Sequence, residues 1–166
     1  AHTDLVKKLD YECELAVVLG RDARDVPAGQ TRDYIFGYTI LNDVSARDVQ
    51  TAHKQWYFGK SLDGFTPIGP CIVTADAFAD YPPRLGIRSF VNGEKRQDSN
   101  TALQIFDIDH VIAELSQGMT LKAGTIIATG TPAGVGMGMD PPQFLKPGDV
   151  VRCEIDGIGT LTNPVE

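Results

Sequence analysis

Residues 9–20 read LDYECELAVVLG, and the change of character along this stretch decides the fold. It opens with polar–apolar alternation through Glu12-Cys13-Glu14 and closes in the unbroken apolar run Leu15 to Leu19. Alternation is the period of a half-buried strand, and an unbroken short run is that of a strand covered on both faces. One strand entering a core is therefore expected over residues 9–20. Side chains two apart on a strand share a face, so Glu12 and Glu14 project together. A solvated strand face would accommodate such a pair. The apolar run argues instead that the pair stands at the edge of the interior, where like charges need a cation to offset them.

Working outward, residues 34–41 (YIFGYTIL) are aromatic and β-branched and read as a second strand, after a helical turn near residues 30–33. Residues 45–56 are polar with a weak helical pattern. Residues 67–75 (PIGPCIVTA) are strand-like but carry two prolines, which places them at a sheet edge. Residues 87–97 carry the clearest hairpin signal, with Asn92-Gly93 suited to a type I′ turn. A helix is expected over residues 109–119, with Val111, Ile112, Leu115 and Met119 on one stripe and Asp107 or Asp109 as its cap. Short strands follow at residues 125–129, 149–155 and 158–162, the last two joined across Asp156-Gly157. LKAGTII (121–127) and LKPGDVV (145–151) echo one another as turn-then-strand units. No linker divides the 166 residues, so a single, mostly β domain with a few helices, of α+β class, is expected over 1–166.

Composition narrows the function. Apolar residues at 42% and charged residues at 22% exclude a disordered or fibrous chain. A formal charge of −7, with no basic cluster, argues against nucleic acid and anionic membrane as partners. No apolar run approaches the ~20 residues that cross a bilayer. Cys13, Cys71 and Cys153 are too scattered for a metal pair or a disulfide framework, so reduced thiols in a cytoplasmic setting are expected. The mitochondrial matrix is the alternative compartment, should a presequence have been removed.

The second acidic element is Asn42-Asp43, at the end of the 34–41 strand, where active-site loops emerge. With Glu12 and Glu14, Asp43 makes three hard oxygen donors. That set selects Mg²⁺, Mn²⁺ or Ca²⁺ over zinc. Arg47 and Gln50 lie three apart, on one face if residues 45–56 start as a helix, and suit an anionic ligand. Lys60, between aromatic residues and a Gly-containing turn, can polarise an oxygen beside a cation. Thr131, in Thr129-Gly130-Thr131-Pro132 after a strand, offers a hydroxyl and a backbone N–H to a carboxylate. Gly134, Gly136 and Gly138 imitate a phosphate loop only superficially, since no GK[ST] follows. His2, His53 and His110 have no metal-ligand spacing, and no nucleophile triad or GxSxG is present.

Together, Glu-x-Glu running into an apolar strand, NDVSARDVQ (42–50), GKSLDGF (59–65) and TGTPAGVG (129–136) resemble the fumarylacetoacetate hydrolase family, from about residue 9 to residue 164. The resemblance implies a mixed β-roll, a homodimer, and Mg²⁺ or Mn²⁺ held by Glu12, Glu14 and Asp43, with Ca²⁺ an acceptable substitute. It implies Arg47, Gln50, Lys60 and Thr131 as substrate contacts, with Arg47 and Lys60 also catalytic. The substrate it implies is a 2-oxo acid whose C–C bond is cleaved through a metal-stabilised enolate, by acylpyruvate hydrolysis or oxaloacetate decarboxylation. Isomerisation or hydration of 2-hydroxy-dienoates and 2-oxo-dioates is the alternative within the family. DPPQFLKPGD (140–149) and GIGTLTNPV (157–165) resemble members of that kind. In hydrolytic members a His/Glu pair on an N-terminal lid helix activates water, and residues 1–8 offer no such pair. A catalytically silent metal- or partner-binding domain is the reading from another class. The intact set of site residues argues against it.

Overall fold

The computed structural model describes residues 4–52 and 54–166, so His2 and His53 lie outside it. The deciding stretch forms two strands rather than one. β1 (Leu9–Asp10) pairs with β4 (Ser45–Ala46), the chain steps aside at Tyr11 and Glu12, and β2 (Cys13–Leu19) then runs buried along its full length. The step exists because Leu9 and Asp10 find their partners elsewhere: Leu9 also bridges Leu145, which donates its backbone N–H to Leu9 O.

β2 and β3 (Ile35–Asn42) are the inner strands of a four-stranded sheet in the order β5-β3-β2-β8. Its edges are β5 (Ile68–Thr74) and β8 (Ile126–Ala128), so the proline-containing segment is an edge strand, as expected. A second sheet has the order β10-β9-β6-β7. It comprises β6 (Gly86–Val91), β7 (Glu94–Asn100), β9 (Val150–Ile155) and β10 (Gly159–Pro164). All pairings in these sheets are antiparallel. The β6–β7 hairpin turns on Asn92 and Gly93, both left-handed at φ 51° and 85°, which is the type I′ geometry. One hydrophobic core joins the sheets, with Leu15, Val17 and Leu19 of β2 meeting Ile87, Val151 and Ile155.

The helical regions are shorter than the sequence suggests. Residues 45–56 divide into β4, α1 (Arg47–Ala52) and a break at Lys54, whose φ is 54°. α2 (Tyr57–Lys60) follows. α3 spans Ile108–Leu115, capped by Asp107, which accepts from His110 N at 2.8 Å. It stops before Met119, because a turn at Gly118 (φ 71°) ends it. The two echoed segments do fold alike. Thr125 N donates to Lys122 O and Asp149 N to Lys146 O, and Leu121 and Leu145 each form an isolated β-bridge to a distant residue, Ala23 and Leu9. Among the described residues, no helix is long and apolar enough to cross a membrane.

Candidate metal centre

The site is built where β2 begins and β3 ends. Cys13 pairs with Asn42 in register, the Glu12 N–H donates to Asn42 Oδ1 at 3.2 Å, and the Asp43 N–H donates to Glu12 O at 2.8 Å. The step at Tyr11–Glu12 is thus pinned to the Asn42–Asp43 turn. Glu12, Glu14 and Asp43 each turn a carboxylate oxygen into one space, all within 4.8 Å of one another. Glu12 and Glu14 are buried and Asp43 is half-buried.

Two cations and one loop face these carboxylates. α2 ends on Lys60, whose Nζ donates to Glu12 Oε2 at 2.7 Å and to Asp43 Oδ2 at 2.5 Å. Arg47, only 4% exposed, contacts Glu12 Oε1 through a terminal nitrogen at 2.5 Å and Gln50 Oε1 through the other at 3.2 Å. Burial works against the Arg47 charge, but the Glu12 and Asp10 carboxylates outweigh it and hold its pKa above the ordinary value. From the other side, the 129–131 loop extends the β2–β8 ladder. Thr129 Oγ1 donates to Leu15 O, the Gly130 N–H to Glu14 Oε2 at 2.8 Å, and Thr131 Oγ1 to Cys13 O at 2.9 Å. Gly130 has φ 94°, the left-handed conformation that lets its amide turn onto the carboxylate. Among the described residues, no cation forms an ion pair with Glu14. Burial first, then the nearby Asp43 and Glu12 charges, push its pKa up to about 7 against the Gly130 amide and Lys60.

The structure therefore brings Glu12, Glu14, Asp43, Arg47, Gln50 and Lys60 together, with Thr131 at the rim. Thr131 differs from expectation in one respect: its single hydroxyl proton is committed to Cys13 O, and its oxygen accepts from Gln97 Nε2 at 2.7 Å. What it can offer a ligand is its backbone N–H. Gln97 and Asp10 went unnoticed in the sequence. Gln97, fully buried on β7, donates from Nε2 to Pro132 O and accepts the Cys13 N–H on Oε1, so one amide joins both sheets behind the site. Asp10, also fully buried, contacts Arg47 Nε at 2.9 Å. A cavity of about 460 Å³ lies behind the 129–131 loop and is lined by Leu15, Val111 and Phe106. None of the three carboxylates lines it, because Leu15 and Glu14 point to opposite faces of β2.

The donor set fits a hard divalent cation. Among the described residues, four buried or half-buried carboxylates (Asp10, Glu12, Glu14 and Asp43) stand against two cations, Arg47 and Lys60. The Lys60 ammonium already bridges two of the three clustered oxygens. Among the described residues, no thiolate or imidazole belongs to the cluster, which disfavours zinc.

The fold is thus mostly β, and its strand ends gather three carboxylates around one small space, a donor set that could hold a metal ion. A family model described as fumarylacetoacetate (FAA) hydrolase C-terminal matches residues 2–166, and the chain belongs to that family. Oxaloacetate tautomerase YisK of Bacillus subtilis is 48% identical over 165 residues, covering 99% of this chain and 54% of the relative. A fumarylacetoacetate hydrolase structure from psychrophilic Exiguobacterium antarcticum is 52% identical with a TM-score of 0.96, covering 99% of this chain and 59% of that one. A 2-hydroxyhepta-2,4-diene-1,7-dioate isomerase structure from Mycobacterium marinum is 46% identical with a TM-score of 0.86, over 96% and 59%. The chain spans about half the length of the curated relatives it matches.

Proposed function

We propose that the protein is a divalent-cation-dependent enzyme acting on small 2-oxo acids, with Glu12, Glu14 and Asp43 holding Mg²⁺ or Mn²⁺. The observation that carries this reading is the convergence of the Glu12, Glu14 and Asp43 oxygens within 4.8 Å of one another at a largely buried point, where burial first and then the Asp43 and Glu12 charges raise the pKa of Glu14. When bound, the ion supplies Lewis acidity to the oxygens of a chelating 2-oxo acid. The chain's own residues supply the rest. Lys60 holds fixed positive charge beside Glu12 and Asp43, where it can stabilise charge developing on a substrate oxygen. Arg47 occupies the carbonyl of Gln50, so the Gln50 amide is left with its NH₂ as the donor for an anionic oxygen. The backbone N–H of Thr131 is the group the loop offers to a carboxylate.

The reaction we assign first is cleavage of the C3–C4 bond, one carbon beyond the 2-keto group, so that the electron pair left on C3 is delocalised onto the keto oxygen, by hydrolysis of an acylpyruvate or decarboxylation of oxaloacetate. Tautomerisation or isomerisation of the same substrates is the second reading, and the names of the Bacillus subtilis and Mycobacterium marinum relatives favour it. All of these reactions place negative charge on the same oxygen, and they differ in which bond breaks.

The test is to incubate full-length protein with oxaloacetate or acetylpyruvate and Mn²⁺, then repeat with excess EDTA. Pyruvate and CO₂ from oxaloacetate identify a decarboxylase, and pyruvate and acetate from acetylpyruvate a hydrolase. Accelerated enol–keto exchange without carbon loss identifies a tautomerase. Turnover that survives EDTA overturns the cation dependence, and no change in any substrate overturns the 2-oxo acid assignment.

A further inference from the structure

The Gly-rich stretch 134–138 looks like an anion-binding loop, and it does bind one: the protein's own Asp10. Gly136 N–H and Met137 N–H donate to Asp10 Oδ1 and Oδ2 at 2.7 and 2.9 Å. The Tyr11 N–H adds a third backbone donor at 2.9 Å, and Arg47 Nε a fourth contact at 2.9 Å. The approach requires glycine, since a Cβ on Gly136 would stand 2.0 Å from Gln143 O and 2.8 Å from Asp10 Oδ1. The Asp10 carboxylate is 0% exposed, and all its acceptor positions face donors. It is a fixed point in the fold.

What it fixes is Arg47. The register Leu9↔Ala46 and Asp10↔Ser45 delivers Arg47 beside Asp10 as α1 begins. The guanidinium then spends Nε on Asp10 and a terminal nitrogen on Glu12 Oε1. Glu12 is left with Oε2 turned toward Asp43, the oxygen that Lys60 now bridges. Released from Asp10, Nε and its neighbouring NH₂ would be free to close a two-bond fork on Glu12 and draw Oε2 away from the cluster.

Resting on the proposal that Glu12, Glu14 and Asp43 hold the cation, we infer that Asp10 is a positioning residue for that site. Held by the 134–138 loop, it orients Arg47 so that Glu12 presents one oxygen, Oε2, to the ion. Partners that orient metal ligands in this way typically set affinity by 10–100-fold.

The experiment is calorimetric titration of full-length protein with Mn²⁺, without substrate, on the wild type, Asp10→Asn, Arg47→Lys and the double variant. Asp10→Asn keeps the shape but sets an NH₂ against two donors whichever way its amide turns, Arg47 Nε and Met137 N–H on one side or Tyr11 N–H and Gly136 N–H on the other, and removes the charge that faces Arg47. Arg47→Lys keeps the charge, but an ammonium lacks the planar fork that spans Asp10 and Glu12. Each single variant is expected to weaken Mn²⁺ binding by roughly 10-fold or more. The double variant should bind no more weakly than Arg47→Lys alone. Full Mn²⁺ affinity in Arg47→Lys, or an undiminished effect of Asp10→Asn in that background, would mean Asp10 acts by charge alone and overturns the inference. Should Asp10→Asn fail to fold, Arg47→Lys decides by itself: weaker binding with an unchanged melting temperature supports the positioning role, and unchanged binding overturns it. A wild type that does not bind Mn²⁺ removes the cation site itself and the inference with it. A wild type that binds, beside variants that bind equally well, overturns only the role of Asp10.

Discussion

Glu14 is the residue at which burial and charge compete most openly. Its carboxyl is 3% exposed, receives one backbone N–H, and faces two other carboxylates. Its pKa rises from 4.5 to about 7, so between those values the folded, cation-free chain holds a proton that the unfolded chain has released. The stabilisation from this proton is complete below about pH 4.5 and is lost as pH climbs through 7. A cation reverses the preference, because it binds the ionised form. The rise in melting temperature caused by Mn²⁺ is therefore expected to be larger at pH 8 than at pH 6, where the ion must displace the proton. Glu14→Gln should also make the cation-free protein more stable at pH 8, by up to about 3 kcal/mol, while abolishing the Mn²⁺ response. Thermal melts at the two pH values check both statements. Equal Mn²⁺ shifts at pH 6 and pH 8 would falsify the account of Glu14.

At the scale of elements, the site depends on how closely short pieces approach. α2 has only four residues, and Lys60 is its last, so its placement rests on packing against α1. Gly59 makes that packing close: a Cβ there would stand 2.7 Å from Gln50 N and 2.8 Å from Gln50 Cα. Gly59→Ala should push α2 away and carry Lys60 off Glu12 and Asp43. A stability loss of about 1–3 kcal/mol is expected, with a fall in turnover at saturating Mn²⁺. Wild-type turnover in that variant would show that something other than this contact places Lys60. Such approaches also mark the limit of what the sequence discloses. The Glu-x-Glu pair, the Asn-Gly hairpin, the Asp107 cap and the proline-bearing edge strand are legible because each depends on neighbours within a few positions. Asp10 and Gln97 are not, since alone each reads as a polar residue in an alternating stretch. Their partners stand 37 and 126 positions away for Asp10, and 34 and 84 for Gln97. The step at Tyr11–Glu12 was hidden for the same reason. Alternation continues through it, and only the pairing of Leu9 and Asp10 with Ser45 and Ala46 breaks the strand.

Across the whole molecule, the site gathers segments that folding alone must bring together: the start of β2, the β3–β4 turn, the end of α2 and the 129–131 loop. In the unfolded chain these carboxylates are dispersed and bind a divalent ion weakly. An ion that binds only the assembled cluster adds RT ln(1 + [L]/Kd) to stability, about 2.7 kcal/mol at a hundred times Kd. Mn²⁺ or Mg²⁺ should thus raise the melting temperature by several degrees. Oxalate, which presents two adjacent oxygens as a 2-oxo acid does, should raise it further, but only with the ion present. That order of addition separates two roles for the positive charge around the site. If Arg47 and Lys60 sufficed to hold the anion, oxalate would stabilise the EDTA-treated protein as well. But most of their hydrogen-bonding capacity is already directed at Asp10, Glu12, Asp43 and Gln50, so such stabilisation is not expected. An oxalate shift that persists in EDTA, or in Glu14→Ala, would show that the anion is held without the ion, by Arg47 and Lys60 themselves or at a site elsewhere.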